Sequence, residues 1–249
     1  MRGVLVAAAF LTRVPVPVVA AAADVSRAAR WFPLIGGLLG GATALIARTM
    51  TEVMHFPAAL TATLIVGLAV WATGAIHLDG LADTVDGLGG GRNREGVLRI
   101  MRDPLIGSYG AAALLFVVGV KVTAITALLD RGAALPFVVA APAISRWTVS
   151  ALGAWLPYAR SEGGLGKAIT HERDTTGLVV ATAVTALIAI GALGVVGIGV
   201  WAFAALTAVW IARIARRRIG GVTGDVFGAG VELTETSVLL CGVLLTGRP

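Results

Sequence analysis

Charge and sulfur are scarce in this chain. Asp, Glu, Lys and Arg make up 14% of its 249 residues, against about 25% in soluble domains. With 57% hydrophobic residues and a mean hydropathy of +0.88, a soluble globular protein is excluded and an integral membrane protein is indicated. The single cysteine, Cys241, excludes an intrachain disulfide; it lies inside the last apolar run and reads as a packing residue. No polar linker, low-complexity segment or internal repeat divides residues 1–249, so they read as one domain. The net charge of +6 comes with no basic-aromatic surface or binding motif. It therefore reflects topology and membrane lipid, and it calls for no nucleic acid.

What is present is apolar length. Runs at 32–50, 57–76, 109–129, 133–155, 177–195, 198–214 and 227–246 approach or reach the roughly 20 residues that span a bilayer as a helix. Spans in lipid must satisfy their backbone internally. The fold class is therefore all-α and polytopic, with about seven transmembrane helices (six to eight) plus an interfacial amphipathic helix. Gly194–Gly199 is the turn that divides the long run from Gly177 to Ala215. Met1–Asp24 mimics a signal peptide, with Ala20–Ala23 as the apparent cleavage site, but Arg13, Pro15 and Pro17 interrupt its apolar part. An uncleaved interfacial or partly re-entrant segment is expected. Segments 1–31, 77–108, 156–176 and 213–226 share one side and hold fifteen of the twenty Lys and Arg, which assigns that side to the cytoplasm. Lys121 and Arg146 remain inside spans.

Acid is gathered in one place. Five of the fourteen acidic residues lie between Ile76 and Gly110. Asp79, Asp83 and Asp86 follow i, i+4, i+7 spacing, which brings them within roughly 60° on a helix continuing the second span inward past Ile76. Three carboxylates on one face call for a hard divalent cation such as Mg2+, and Leu78–Gly91 holds no Lys or Arg to neutralise them. The plain alternative is a solvated helix end. Gly80 and Gly87 run beside this face and clear a path to the metal, while His77 points away and reads as a structural hydrogen-bonder. Gly87–Gly91 ends the helix. Asn93 then caps an amphipathic helix with Glu95 in its first turn. Its Arg94, Arg99 and Arg102 either snorkel or grip phosphate oxygens. Asp103-Pro104 is expected to start the next helix, Asp103 capping it or completing the metal site.

A second constellation, Gly220–Glu235, places five glycines around Thr223, Gly224 and Asp225, with backbone N–H groups suited to an anion. Glu232 and Glu235 follow within the span. Acids there are costly and mark a polar functional cavity, or else neutralise Lys121 and Arg146. The loop holding Tyr158, Arg160, Glu162, Lys167, His171 and Arg173 reads as a connection or as a lid over an anionic substrate. Arg213 and Arg216–Arg218 are a topology signal.

Together these residues resemble the cobalamin synthase family, also called adenosylcobinamide-GDP ribazoletransferases. The resemblance runs through Phe10–Pro17 (FLTRVPVP), Trp31–Gly36 (WFPLIG), His77–Gly87 (HLDGLADTVDG), Ile100–Asp103 (IMRD), Ser145–Trp147 (SRW) and Gly221–Asp225 (GVTGD). Pro104 departs from it, standing where the family is expected to carry serine. The resemblance implies an Mg2+-dependent transferase in a bacterial or archaeal cell membrane, multi-pass, with its active site facing the cytoplasm. A hydroxyl of α-ribazole or α-ribazole 5′-phosphate would attack the cobinamide-proximal phosphorus of adenosylcobinamide-GDP. GMP would leave, and adenosylcobalamin or its 5′-phosphate would form. Metal ions on Asp79, Asp83 and Asp86 would bridge the pyrophosphate. One of these aspartates, or Asp103, would act as base, with Asp225 completing the cradle. Oligomeric state is left open, a homo-oligomer included. A CDP-alcohol phosphotransferase making phospholipid is the nearest alternative enzyme, but its Ala-Arg pair and later aspartate spacing are missing here. A transporter using Asp79, Asp83, Asp86, Glu232 and Glu235 as a relay is the alternative of another class. It fits less well, because the aspartates sit at one face and no repeated halves are evident.

Overall fold

The computed structural model describes residues 2–18, 21–164, 166–170 and 174–247. Ala20 of the apparent cleavage site, His171 and Arg173 of the third loop, and Arg248 lie outside the described residues. The described chain forms α1 (Arg2–Leu11), α2 (Ala22–Ala28), a 3-10 turn (Ala29–Trp31), α3 (Phe32–Glu52), α4 (Ala58–Thr73), α5 (Ile76–Gly90) and α6 (Arg94–Ile100). It continues through α7 (Ser108–Asp130), α8 (Ala134–Trp155), α9 (Lys167–Thr170), α10 (Thr175–Leu193), α11 (Val196–Ile219) and α12 (Gly224–Thr246). Among the described residues there is no strand. Six helical stretches are long and apolar enough to cross a membrane, and a seventh is counted if α4 and α5 form one broken span. At 1.5 Å per residue the 22 residues of α8 reach about 33 Å, enough for a hydrocarbon core of about 30 Å.

α8 is the centre of the bundle, buried almost continuously from Ala140 to Gly153. α3 approaches it through Gly36 and Gly40. A Cβ on Gly40 would lie 2.7 Å from the carbonyl oxygen of Val138, so only glycine permits this approach. Pro33 in the first turn of α3 supplies a preset φ where no helical N–H is needed. α1 packs Val6, Ala7 and Leu11 into the same core as Phe32, Val149 and Phe227.

Two expectations are corrected at the acidic end. First, α5 does not continue α4 as one straight helix; the two meet at a break, as in a broken span or a re-entrant loop. Gly74 and Ala75 both adopt left-handed backbone (φ 64° and 60°), and α5 leaves α4 at 89°. Gly74 accepts that conformation without a Cβ penalty. The Gly74 and Ala75 N–H groups close onto Trp71 and Val70, and the Arg13 N–H donates to the Ala72 carbonyl at 2.8 Å, pinning the corner. Second, the helix after α6 begins at Ser108, not at Asp103-Pro104. Asp103 accepts instead from the Leu105 N–H at 3.0 Å and forms a turn. The orphan donors at the start of α7 are met from another helix: Asp86 accepts from the Gly107 and Gly110 N–H groups at 2.8 and 2.9 Å.

The charges inside the spans meet in the interior. Lys121 donates to Glu232 at 2.6 Å and to Glu235 at 2.8 Å, and Arg146 pairs with Glu235. The ion pairs bear out the neutralising reading of these glutamates. The group borders a cavity of about 60 Å³ between α3, α4, α7, α8 and α12.

Candidate active site

The site is built where α5 and α12 cross. Gly80 and Gly228 face each other there: a Cβ on Gly80 would lie 2.7 Å from the Asp225 carbonyl oxygen and 3.1 Å from the Gly228 Cα. One added to Gly228 would lie 2.9 Å from the His77 carbonyl oxygen. With both side chains absent, the backbones nearly touch, and Asp79 on α5 is brought to the same cavity as Asp225 on α12. Thr223 caps α12 by accepting from the Val226 N–H at 3.3 Å, and it donates to Asp225 Oδ2 at 3.2 Å.

Arg160 reaches this point from the third loop. The loop is pinned beside residues 221–222: Ala159 N–H donates to Val222 and Val222 N–H to Pro157, both at 2.9 Å. Arg160 then pairs with Asp225 Oδ2 at 2.6 Å and donates to the Met101 carbonyl at 3.3 Å. Its buried Nε has no partner among the described residues. Asp225 Oδ1 accepts no hydrogen bond among them either. α6 secures the loop from outside. Arg94 donates to the carbonyls of Ile219 and Ala159, and Arg102 pairs with Glu162 at 2.6 Å. Val97 and Met101 anchor α6 in the core.

The cavity so enclosed measures about 230 Å³. Asp79, Gly80, Gly224, Asp225, Arg160, Tyr158 and His77 line it together with the apolar Phe10, Leu11, Phe32, Val149, Ile169 and Phe227. His77 is buried, and its Nε2 finds no partner among the described residues, so the expected structural hydrogen bond at that atom is not made. Of the residues singled out from sequence, His77, Asp79, Gly80, Tyr158, Arg160, Gly224 and Asp225 line the cavity. Thr223 supports it from behind, and Asp83 sits one turn along α5, half-buried. Asp86 is buried and engaged by α7, and Gly87 is covered by Met101 and Val97 of the α6 segment. Arg99, Arg102 and Asp103 are exposed and do not line it. Arg160 and Tyr158 carry no more signal in the sequence than a basic, glycine-rich loop; their place at the wall depends on the pairing of residues 157–159 with 221–222.

A divalent cation fits a carboxylate pair better than the trio. Among the described residues no three His, Cys, Asp or Glu side chains converge as a metal-binding group. Both oxygens of Asp86 are taken by backbone donors, whereas neither Asp79 nor Asp83 has a hydrogen bond or ion pair among the described residues. Asp83 lies within the field of Asp79 and Asp225, whose negative charges repel it. Mg2+ commonly binds through one or two carboxylates and completes its shell with water and substrate phosphate, so this pair has the right donor chemistry.

Fold and site thus define an all-α, polytopic membrane protein with unpaired carboxylates, a largely buried arginine and a cavity of mixed lining at one end. The sequence model described as cobalamin-5-phosphate synthase matches residues 3–244, and the chain belongs to that family. It is 39% identical to the adenosylcobinamide-GDP ribazoletransferase of Sinorhizobium medicae (strain WSM419), over 93% of this chain and 92% of that relative. It is 36% identical to the protein of the same name from Chlorobaculum tepidum, over 98% and 96% of the two chains. With that of Syntrophobacter fumaroxidans it shares 38% identity over 84% and 83%. No solved structure matches this chain.

Proposed function

We infer that this protein is an adenosylcobinamide-GDP ribazoletransferase. It transfers cobinamide phosphate from adenosylcobinamide-GDP to a hydroxyl of α-ribazole or α-ribazole 5′-phosphate, a late step of cobalamin biosynthesis. A new O–P bond forms, the bond to GMP breaks, and adenosylcobalamin or its 5′-phosphate results. The observation that carries this reading is that residues from separate parts of the family match, Asp79, Arg160 and Asp225, meet at one cavity. The phospholipid-synthase and transporter alternatives are not favoured by the same match.

Phosphoryl transfer needs positioning and charge stabilisation more than covalent chemistry. Arg160 supplies the grip: Asp225 orients its guanidinium, and its free Nε–H is left for a phosphate oxygen. Asp225 Oδ1, free of hydrogen bonds, takes the proton of the attacking hydroxyl. The backbone at Gly224, where α12 begins, adds N–H donors toward the same anion. Asp79 and Asp83 would hold Mg2+, which when bound supplies neutralisation of charge on the departing GMP. The Lys- and Arg-rich segments converge on this end of the bundle through the contacts of Arg94, Arg102, Arg160 and Arg218. That convergence supports a cell membrane location with this end in the cytoplasm.

The test is turnover by purified protein in lipid, given adenosylcobinamide-GDP and α-ribazole with and without Mg2+, following GMP and cobalamin together. Stoichiometric, Mg2+-dependent appearance of both is expected. Asp83→Asn should reduce it by about 10²-fold or more while leaving folded protein. A folded wild-type sample that produces neither refutes the reading.

A further inference from the structure

The arginines at the end of α11 do more than report topology. We propose that the groove between the ends of α8 and α11 binds one anionic glycerophospholipid, and that the bound lipid clamps the two segments carrying Arg160 and Asp225. The binding stands independently of the transferase reading.

Among the described residues six line this groove, Trp155 and Leu156 where α8 ends and Val209, Ala212, Arg213 and Arg216 on α11, around an open space of about 280 Å³. The four on α11 follow i, i+3, i+4, i+7 spacing and so share one helix face. Their order along the helix is the order of chemistry in a phospholipid. Val209 and Ala212 lie toward the apolar middle of the span, Arg213 and Arg216 toward its end. About 10 Å of helix separates Val209 from Arg216, against a headgroup layer about 5–8 Å deep on each side of a bilayer. An acyl chain against Leu156, Val209 and Ala212 therefore places its phosphate at the guanidiniums. Trp155 is 40% exposed, at the level where amphipathic rings sit between hydrocarbon and water. The buried Trp147 holds that ring edge-on, with centroids 6.1 Å apart, and itself donates to Thr182 at 2.9 Å. This wall is set before any lipid arrives.

Charge selects the headgroup. No acidic residue lines the groove among the described residues. Arg213 and Arg216 are exposed and make no ion pair or hydrogen bond among them, unlike Arg218, which donates to the Leu88 and Gly91 carbonyls. Two such guanidiniums attract a net-negative headgroup above a zwitterionic one, whose own cation they repel. In the orientation proposed above, this end meets the cytoplasmic leaflet, which carries anionic lipid. A soluble phosphate ester would engage the arginines and leave Trp155 and the apolar floor uncovered.

The groove also sits at a junction. Leu156 runs directly into Pro157–Ala159, and α11 runs through Gly220 into Gly221 and Val222. These are the segments whose backbones pair, Ala159 with Val222 and Val222 with Pro157. A lipid touching both walls holds the two approaches together, and through them Arg160 against Asp225.

The test is lipid binding to the full-length protein in neutral detergent, read by native mass spectrometry during titration with phosphatidylglycerol or phosphatidylcholine of the same acyl chains. The first phosphatidylglycerol should be held about tenfold or more tighter than phosphatidylcholine, and Arg216→Gln should weaken it about fivefold. Arg217→Gln removes the same charge one residue on, outside the groove, and should change it less than about twofold. Both arginines are exposed, so both variants should keep the wild-type Tm. Excess glycerol phosphate should not displace the lipid. With phosphatidylglycerol at ten times its Kd, amide exchange at Ala159 and Val222 should slow about tenfold in the wild-type protein. Equal affinity for the two lipids, or equal losses in Arg216→Gln and Arg217→Gln, overturns the site. Displacement by glycerol phosphate overturns the lipid as its occupant, and unchanged exchange at Ala159 and Val222 with the lipid bound overturns the clamp.

Discussion

Replacing Gly80 with alanine tests the α5–α12 crossing directly. The added Cβ would sit 2.7 Å from the Asp225 carbonyl oxygen and 3.0 Å from its Cα, where ordinary contact begins near 3.4 Å. Both atoms are backbone inside a helix and cannot swing aside, so the helices must separate by about 0.7 Å. Overpacking of this kind costs about 1–3 kcal/mol. For a chain of this length each kcal/mol moves the melting point by about 2–4 °C, so Tm in detergent should fall by about 2–12 °C. Separation also moves Asp79 away from Asp225, and a displacement near 1 Å at a reacting centre costs up to about 10²-fold in rate. GMP release should therefore fall ten- to hundredfold, more than the loss of folded protein explains. Gly119→Ala is the control, because nothing lies within 4 Å of its Cβ position. It should gain about 0.5–1 kcal/mol from helix propensity and keep full turnover. A Gly80→Ala protein with wild-type Tm and turnover would refute the close crossing and the site built on it.

Asp86→Ala should destabilise by about 1–3 kcal/mol, because it orphans two N–H donors at the start of α7. In Asp86→Asn the Mg2+ concentration for half-maximal turnover should stay within twofold, whereas Asp79→Asn should raise it; a titration that reverses this order restores Asp86 as a ligand. Glu235→Gln leaves Lys121 and Arg146 with one carboxylate between them in the membrane interior, and should cost about 3–5 kcal/mol in detergent melts. Adding Lys121→Met should recover part of that loss, and no recovery would show that the cost is steric. Ala75→Gly should raise stability by about 0.5–1 kcal/mol by relieving a left-handed alanine, and Ala75→Val should lower it. Equal melting points for the three would show that the corner is not where α5 is set.

The acidic run and the Gly220–Glu235 segment were both legible as candidate sites, and Asp79 and Asp225 line one cavity. The role of Asp86 was not legible, because i, i+7 spacing places it on the aspartate face without revealing that Gly107 and Gly110 occupy it. The same spacing implied a straight helix from α4 into α5. A single left-handed alanine beside Gly74 breaks it, and Ala75 carries no signal of that conformation in its residue type. Gly80 and Gly87 stood out correctly as places where side chains are cleared. What approaches them is the protein itself: α12 at Gly80, and Met101 and Val97 at Gly87.

Composition alone decides that the chain is helical and crosses a membrane, because long apolar runs in lipid have no other way to satisfy their backbone. The positions of Lys and Arg decide which ends gather on one side, since that bias acts loop by loop as the spans insert. Residue order decides the helix caps at Asn93 and Thr223, which depend on neighbours three residues away. The site is a different matter. Asp79, Arg160 and Asp225 are far apart in the chain, and the two carboxylates repel unless packing holds them. Two glycines let α5 and α12 close to contact, and the backbone pairing of 157–159 with 221–222 delivers the arginine to Asp225. Those contacts exist only once the whole bundle has formed, since each is made between helices whose proximity no local pattern specifies.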